Sequence, residues 1–177
     1  MVQRLAYAIE TLSDWSGRVV GWLVLAMACV IFYDVVMRYL FNSGSVALQE
    51  LEWHLFALVL LFGVSYAMRH DAHVRVDIFY HSRFISARQR ACIDLLGGAL
   101  FMLPFCLLVI YCSLPFVENS FFSNEGSPDP GGLPARWLLK GAIPLGFTLL
   151  LLQGIATMIR AAQTVLTKDH TVTRRGE

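Results

Sequence analysis

The chain has 177 residues, 56% of them apolar and 15% charged, with a formal net charge of +1. Charged residues fall well below the usual quarter of a soluble domain, and a single core of this size would not bury so much apolar surface. This excludes a soluble globular protein, and without a basic face carrying stacking or base-reading groups no nucleic-acid partner is expected.

In chain order, Leu5, Ile9, Leu12 and Trp15 or Ser16 recur at helical spacing, with Gln3, Arg4, Glu10 and Asp14 elsewhere. Residues 1–17 are therefore expected to form a short amphipathic helix lying on the membrane surface. Arg18 and Arg38 bracket VVGWLVLAMACVIFYDVVM, long enough for a first span at about 19–37. Ala26-Met27-Ala28 resembles a signal-peptidase site, but the apolar run continues to Val36, so the span is read as uncleaved. Gly17 and Gly21 form a GxxxG at the helix edge, a weak pairing signal.

Asn42-Ser43-Gly44-Ser45 reads as a turn, with Ser45 as N-cap of the next helix. The second span, 51–68, covers 18 residues and rises about 27 Å, close to the hydrocarbon thickness. It enters through Glu50, Glu52 and Trp53 and leaves through the basic stretch Arg69 to Arg75. HVRVDIFY alternates Val74, Val76 and Ile78 with polar residues, so it runs extended or lies at the interface. Ser86-Ala87-Arg88-Gln89 matches a capping box for the third helix.

The third span is placed at about 93–116, with Gly97-Gly98 allowing close packing and Pro104 bending it. The loop that follows carries Pro128, Pro130 and Pro134 with Gly131-Gly132, which predicts a stiff, turned structure. A fourth span at 137–158 contains Pro144, and a polar tail closes the chain over 161–177. The expected fold is an all-α membrane protein: four transmembrane helices over 18–160, preceded by the interfacial helix. Eleven basic residues fall on the side of the termini and second loop against three opposite, which puts both termini in the cytoplasm.

The ionisable residues lie near helix ends. Asp34 and Arg38 are one turn apart with the acid first, either a local ion pair or one that docks a partner helix. Glu50 and His54 share one face, and two ligands on one turn make a poor metal site. His70, Asp71 and His73 form an HDxH cluster in a basic, solvated loop without a fourth ligand, and Arg90 and Asp94 form another i, i+4 pair. His54 is the one histidine inside a span, so a haem held between two histidines is disfavoured. Cys29, Cys92, Cys106 and Cys112 make no CxxC and read as small packing residues. GxSxG, HExxH, P-loop and triad patterns are absent from the sequence, so no catalytic residue, cofactor or metal is expected.

Three stretches, RYLFNSG (38–44), QELEWHLFALVLLFGVSYAMRHDAHVRVDIFY (49–80) and SPDPGGLPARWLLKGAIPLGFTLLLLQG (127–154), resemble the small membrane subunit of tripartite ATP-independent periplasmic (TRAP) transporters. Arg38, Asn42, Glu50, Arg69, His73, Arg75 and Asp77 fall on the family pattern, and with Asp34 they are the candidate subunit-contact or structural residues. The sequence departs from the pattern where Ala47 replaces a tryptophan and Gln49 the first of two acids, while Glu52 is additional. A role requiring two adjacent carboxylates is therefore not supported.

The resemblance implies a bacterial inner-membrane subunit. Its implied partners are a large multi-span membrane subunit, a periplasmic substrate-binding protein and membrane lipid. The implied role is to brace the large subunit and help dock the binding protein during sodium-coupled organic-acid uptake, with the Pro-Gly loop pointing to monocarboxylates. A second reading of the residues is a small homo-oligomeric proton-coupled exporter using Glu50. The lack of ionisable or broken-helix elements at the midplane favours the scaffold.

Overall fold

The protein is described by a computed structural model covering residues 2–70, 72 and 87–166. The described residues form α1 (Val2–Leu40), α2 (Val46–Arg69), α3 (Ala87–Gly97), a π-helical turn (Gly98–Met102), α4 (Leu103–Phe122) and α5 (Trp137–Leu166). The π turn joins α3 and α4 into one run, Arg88–Phe122, so four helices are long and apolar enough to cross a membrane. This is an all-α membrane protein.

Each helix extends past the apolar run that marks it in the sequence. α1 is the extreme case, with 39 residues in one helix about 58 Å long. The amphipathic stretch at its start continues into the span without a break. Ala6, Ile9, Glu10, Ser13 and Ser16 are buried against the other helices, while Leu5, Leu12 and Trp15 are exposed. α1 ends where Asn42 adopts a positive φ of 50°. The Ser43 N–H then donates back to the Met37 carbonyl at 3.0 Å, so the left-handed residue closes the open helix end. At the next start Ser45 holds the N-cap position with extended φ and ψ, but its hydroxyl makes no capping hydrogen bond.

The third span does not simply bend at Pro104. Proline has no N–H to give the Leu100 carbonyl, and the ladder widens just before it: the Leu103 N–H donates to Gly98, five residues back. Of the two adjacent glycines, Gly98 lies against Met158, whereas Gly97 faces open space. Of the GxxxG pair, Gly17 sits under the Tyr66 ring and Gly21 meets nothing. The alternating stretch 73–80 and Ser86 lie outside the described residues, as does the chain beyond Leu166.

α5 is the centre of the bundle, packing against α1, α2, α3 and α4. Its buried residues are mostly small: Ala142, Gly146, Gly154, Ala156 and Ala161, with Gln153 the exception. Lipid tails are as apolar as leucine, so helices in a bilayer associate through close contact of small residues. At Gly146 an added Cβ would lie 2.9 Å from the Leu61 backbone carbonyl oxygen, which fixes how closely α2 rides on α5. Large side chains such as Trp22, Phe32, Phe101 and Tyr111 point outward. Of the cysteines, Cys106 is fully buried, while Cys29 and Cys112 are exposed on the apolar surface.

Candidate functional site

The most organised polar site lies where α2 begins. Glu50 is 1% exposed although it stands in the first turns of a span, and a carboxylate so placed needs donors. The loop between α4 and α5 supplies them. The Ser127 hydroxyl donates to Oε1, the Leu133 backbone N–H donates to Oε2 at 2.6 Å, and the Arg136 guanidinium lies 3.5 Å from Oε1. A loop 77 residues away in sequence is thus closed over the end of α2 by one side chain.

The loop is shaped for this contact. The Ser127 N–H donates to the Leu133 carbonyl at 3.0 Å, the Gly132 N–H to Asp129 at 3.0 Å, and the Arg136 N–H to Glu125 at 2.9 Å. Asn124, Gly131 and Ala135 take positive φ values of 46°, 81° and 59° to turn the chain. Gly132 is needed for a different reason, since a Cβ there would press on the Ser127 side chain and sit 2.8 Å from Glu50 Oε2. The loop is pinned a second time by the Lys140–Glu125 ion pair, with the Lys140 ammonium 3.9 Å above the Phe116 ring. The hydrogen bond from Lys140 holds the Glu125 carboxyl below its ordinary value of 4.5, against a smaller opposing effect of burial.

His54 does not join Glu50 through its carboxylate. Its Nδ1 approaches the Glu50 backbone carbonyl, one turn back. Asp34 pairs with Arg38 and is 1% exposed, while the Arg38 side chain is 45% exposed. The Asp34 Oδ1 atom is buried without a hydrogen-bond partner among the described residues. Asn42 serves the helix end described above.

Arg69 is found at the other end of α2, where a separate polar seam joins α1, α2 and α5. Arg69 lies 3.0 Å from Asp14, and His70, its ring tilted against that of Tyr66, lies 3.3 Å from the same carboxylate. The Ser13 hydroxyl donates to Gln153 at 2.7 Å, the Ser16 and Ser65 hydroxyls meet at 3.5 Å, and Glu10 takes both arms of the Arg160 fork. His73, Arg75 and Asp77 lie outside the described residues. Among the described residues no three of His, Cys, Asp and Glu come together as a metal site.

The structure therefore divides the described candidates between the two ends of the bundle instead of gathering them. Sequence reasoning missed Ser127, Leu133 and Arg136 as partners of Glu50, and Glu10, Gln153 and Arg160 as partners across the seam. The density of Pro and Gly before α5 announced a shaped loop, but a contact 77 residues distant carries no local signal.

Residues 27–164 match the family described as "Tripartite ATP-independent periplasmic transporters, DctQ component". The chain is also 28% identical over 151 residues to the C4-dicarboxylate TRAP transporter small permease protein DctQ of Vibrio cholerae serotype O1 (strain ATCC 39315 / El Tor Inaba N16961). That match covers 74% of this chain and 64% of the relative's length.

Proposed function

This chain belongs to the DctQ component family of tripartite ATP-independent periplasmic transporters, and from that membership we propose how it works in a transporter. It is a scaffold, bracing a large multi-span subunit and presenting a surface to a periplasmic substrate-binding protein. The complex takes up organic acids with sodium. The Vibrio relative is named for C4-dicarboxylates, and the Pro-Gly loop suggests monocarboxylates, so carboxylates are the class in common. The chain sits in the bacterial inner membrane with both termini in the cytoplasm, so that the Glu50 end faces the periplasm.

The observation that carries this reading is the Glu50 latch. A docking surface works best when its shape is already fixed before the partner arrives, because less ordering entropy is then lost on binding. Here a buried carboxylate, several backbone hydrogen bonds and a second ion pair hold the outer loop in one form. The loop leaves Asp129 and the three prolines exposed. The same latch disfavours Glu50 as the proton site of an exporter, since its donors come from the chain's own loop.

The test is uptake into vesicles holding the large subunit, with and without this chain, under a sodium gradient and with carboxylate-loaded binding protein outside. Uptake is expected to need this chain and sodium, and to fall when exposed loop-side acids are reversed in Glu118→Lys and Asp129→Lys. Full uptake without this chain would contradict the scaffold role, and unchanged uptake in the charge-reversed variants would contradict docking.

A further inference from the structure

α2 and α4 each pack on α5, and between them near the Glu50 end lies a cavity of about 300 Å³. Its floor is apolar, formed by Ala57, Leu61, Leu139 and Ile143. Two cations, Arg136 just before α5 and Lys140 in its first turn, also line it. The apolar floor does not hold ordered water well, because water needs several polar partners. The floor from Arg136 to Ile143 runs about 10 Å along the helix, a cationic end followed by an apolar track.

The cations have capacity left for an anion. Arg136 faces Glu50 at 3.5 Å, too long for a well-formed charge-assisted hydrogen bond, and a guanidinium carries five donors. Both Glu50 oxygens are already met by Ser127 and Leu133. Lys140 has three donors, one of which holds Glu125. The walls contain Trp53 and Phe116, each about half exposed on the outer surface of the bundle. Tryptophan at a helix end marks headgroup depth, so the cavity is open to the membrane at the level where phosphate sits.

We propose that this cleft holds one phospholipid from the leaflet on the Glu50 side. Its phosphodiester lies against Arg136 and Lys140, and one acyl chain runs along Ala57, Leu61, Leu139 and Ile143. The site requires that this face of the membrane-spanning chain meets lipid, and it does not depend on the scaffold or docking roles.

The direct test places a photo-activated cross-linker at Leu139 in the full chain, in its native membrane supplemented with radiolabelled phosphatidylglycerol and phosphatidylethanolamine. Labelled lipid captured on this chain supports the site. Capture of a polypeptide, or of nothing, overturns it. Native mass spectrometry supplies the second measurement, on protein transferred to nanodiscs of the same two lipids and then delipidated. One phospholipid per chain should survive. Its retention should fall about tenfold in Arg136→Gln, as expected for loss of a charge-assisted contact. A similar loss is expected in Ala57→Phe, which fills the floor without touching the latch, but not in the control Ala28→Phe on exposed α1. Undiminished retention in Ala57→Phe would overturn the proposal, and that variant decides if Arg136→Gln fails to fold.

Discussion

Replacing Glu50 with alanine should release the loop between α4 and α5 while leaving the helices in place. The substitution strands the Ser127 hydroxyl and the Leu133 N–H, which both donate to the carboxylate, and removes the acid facing Arg136. A hydrogen bond to a charged group contributes about 1.5–3 kcal/mol, so the two donors together carry about 3–6 kcal/mol. Arg136 adds little, because it stands 3.5 Å away with its side chain 25% exposed and screened. Removing one partner of a buried charged cluster typically costs about 3–5 kcal/mol, which agrees with that range. Amide hydrogen exchange at Ser127, Gly132 and Arg136 reads the effect, since these N–H groups keep their own backbone acceptors in the variant. Their protection should fall by at least about a hundredfold, the factor corresponding to roughly 3 kcal/mol. Glu50→Gln keeps one good acceptor and should lose about half as much on a logarithmic scale. Unchanged protection in Glu50→Ala would refute the idea that this carboxylate shapes the loop.

Gly146→Ala presses a methyl group onto the Leu61 backbone and should cost about 1–3 kcal/mol, whereas Gly141→Ala, whose nearest neighbour is Val117 at 4.0 Å, should be close to neutral. Equal thermal shifts for the two would argue against close α2–α5 contact as the determinant. For Glu125, the lowered carboxyl value means that its stabilising ion pair is present above the unfolded value and is lost as pH falls through the folded one. Its side-chain carbon resonance should therefore titrate below the ordinary 4.5 and return toward it in Lys140→Met, and titration at or above 4.5 in the unaltered chain would contradict the contact. A double-mutant cycle of Glu10→Gln with Arg160→Gln should give a coupling of about 1–2 kcal/mol, reduced from a buried pair because the Arg160 side chain is 61% exposed. Coupling near zero would mean that this ion pair does not help to hold the start of α1.

The spans were legible because their apolar runs have the length a bilayer demands, and the charges that end those runs mark the connections. Helix ends were less so, because an apolar run stops at the membrane while the hydrogen-bond ladder continues into interfacial residues, as α1 does from Val2. The stretch 3–16 was readable as amphipathic, yet periodicity does not say what each face meets. Glu10, Ser13 and Ser16 found donors and acceptors on α2 and α5, and Leu12 and Trp15 were left outside. Pro104 signalled an irregularity but not its form, a π turn in which the Leu103 N–H reaches back five residues to Gly98. The Glu50 latch was hidden for a further reason. Glu50 sits beside His54 in sequence, and the pairing of neighbours on one helix face is easier to see than a contact supplied by a distant loop's backbone.

The proposed role of this chain is that of a bracing subunit in a larger assembly. It is tested most directly by purifying the tagged chain from its native membrane in mild detergent and identifying by mass spectrometry what accompanies it at fixed ratio. A stoichiometric large multi-span membrane protein is expected. A pure homo-oligomer that transports by itself in vesicles would contradict it.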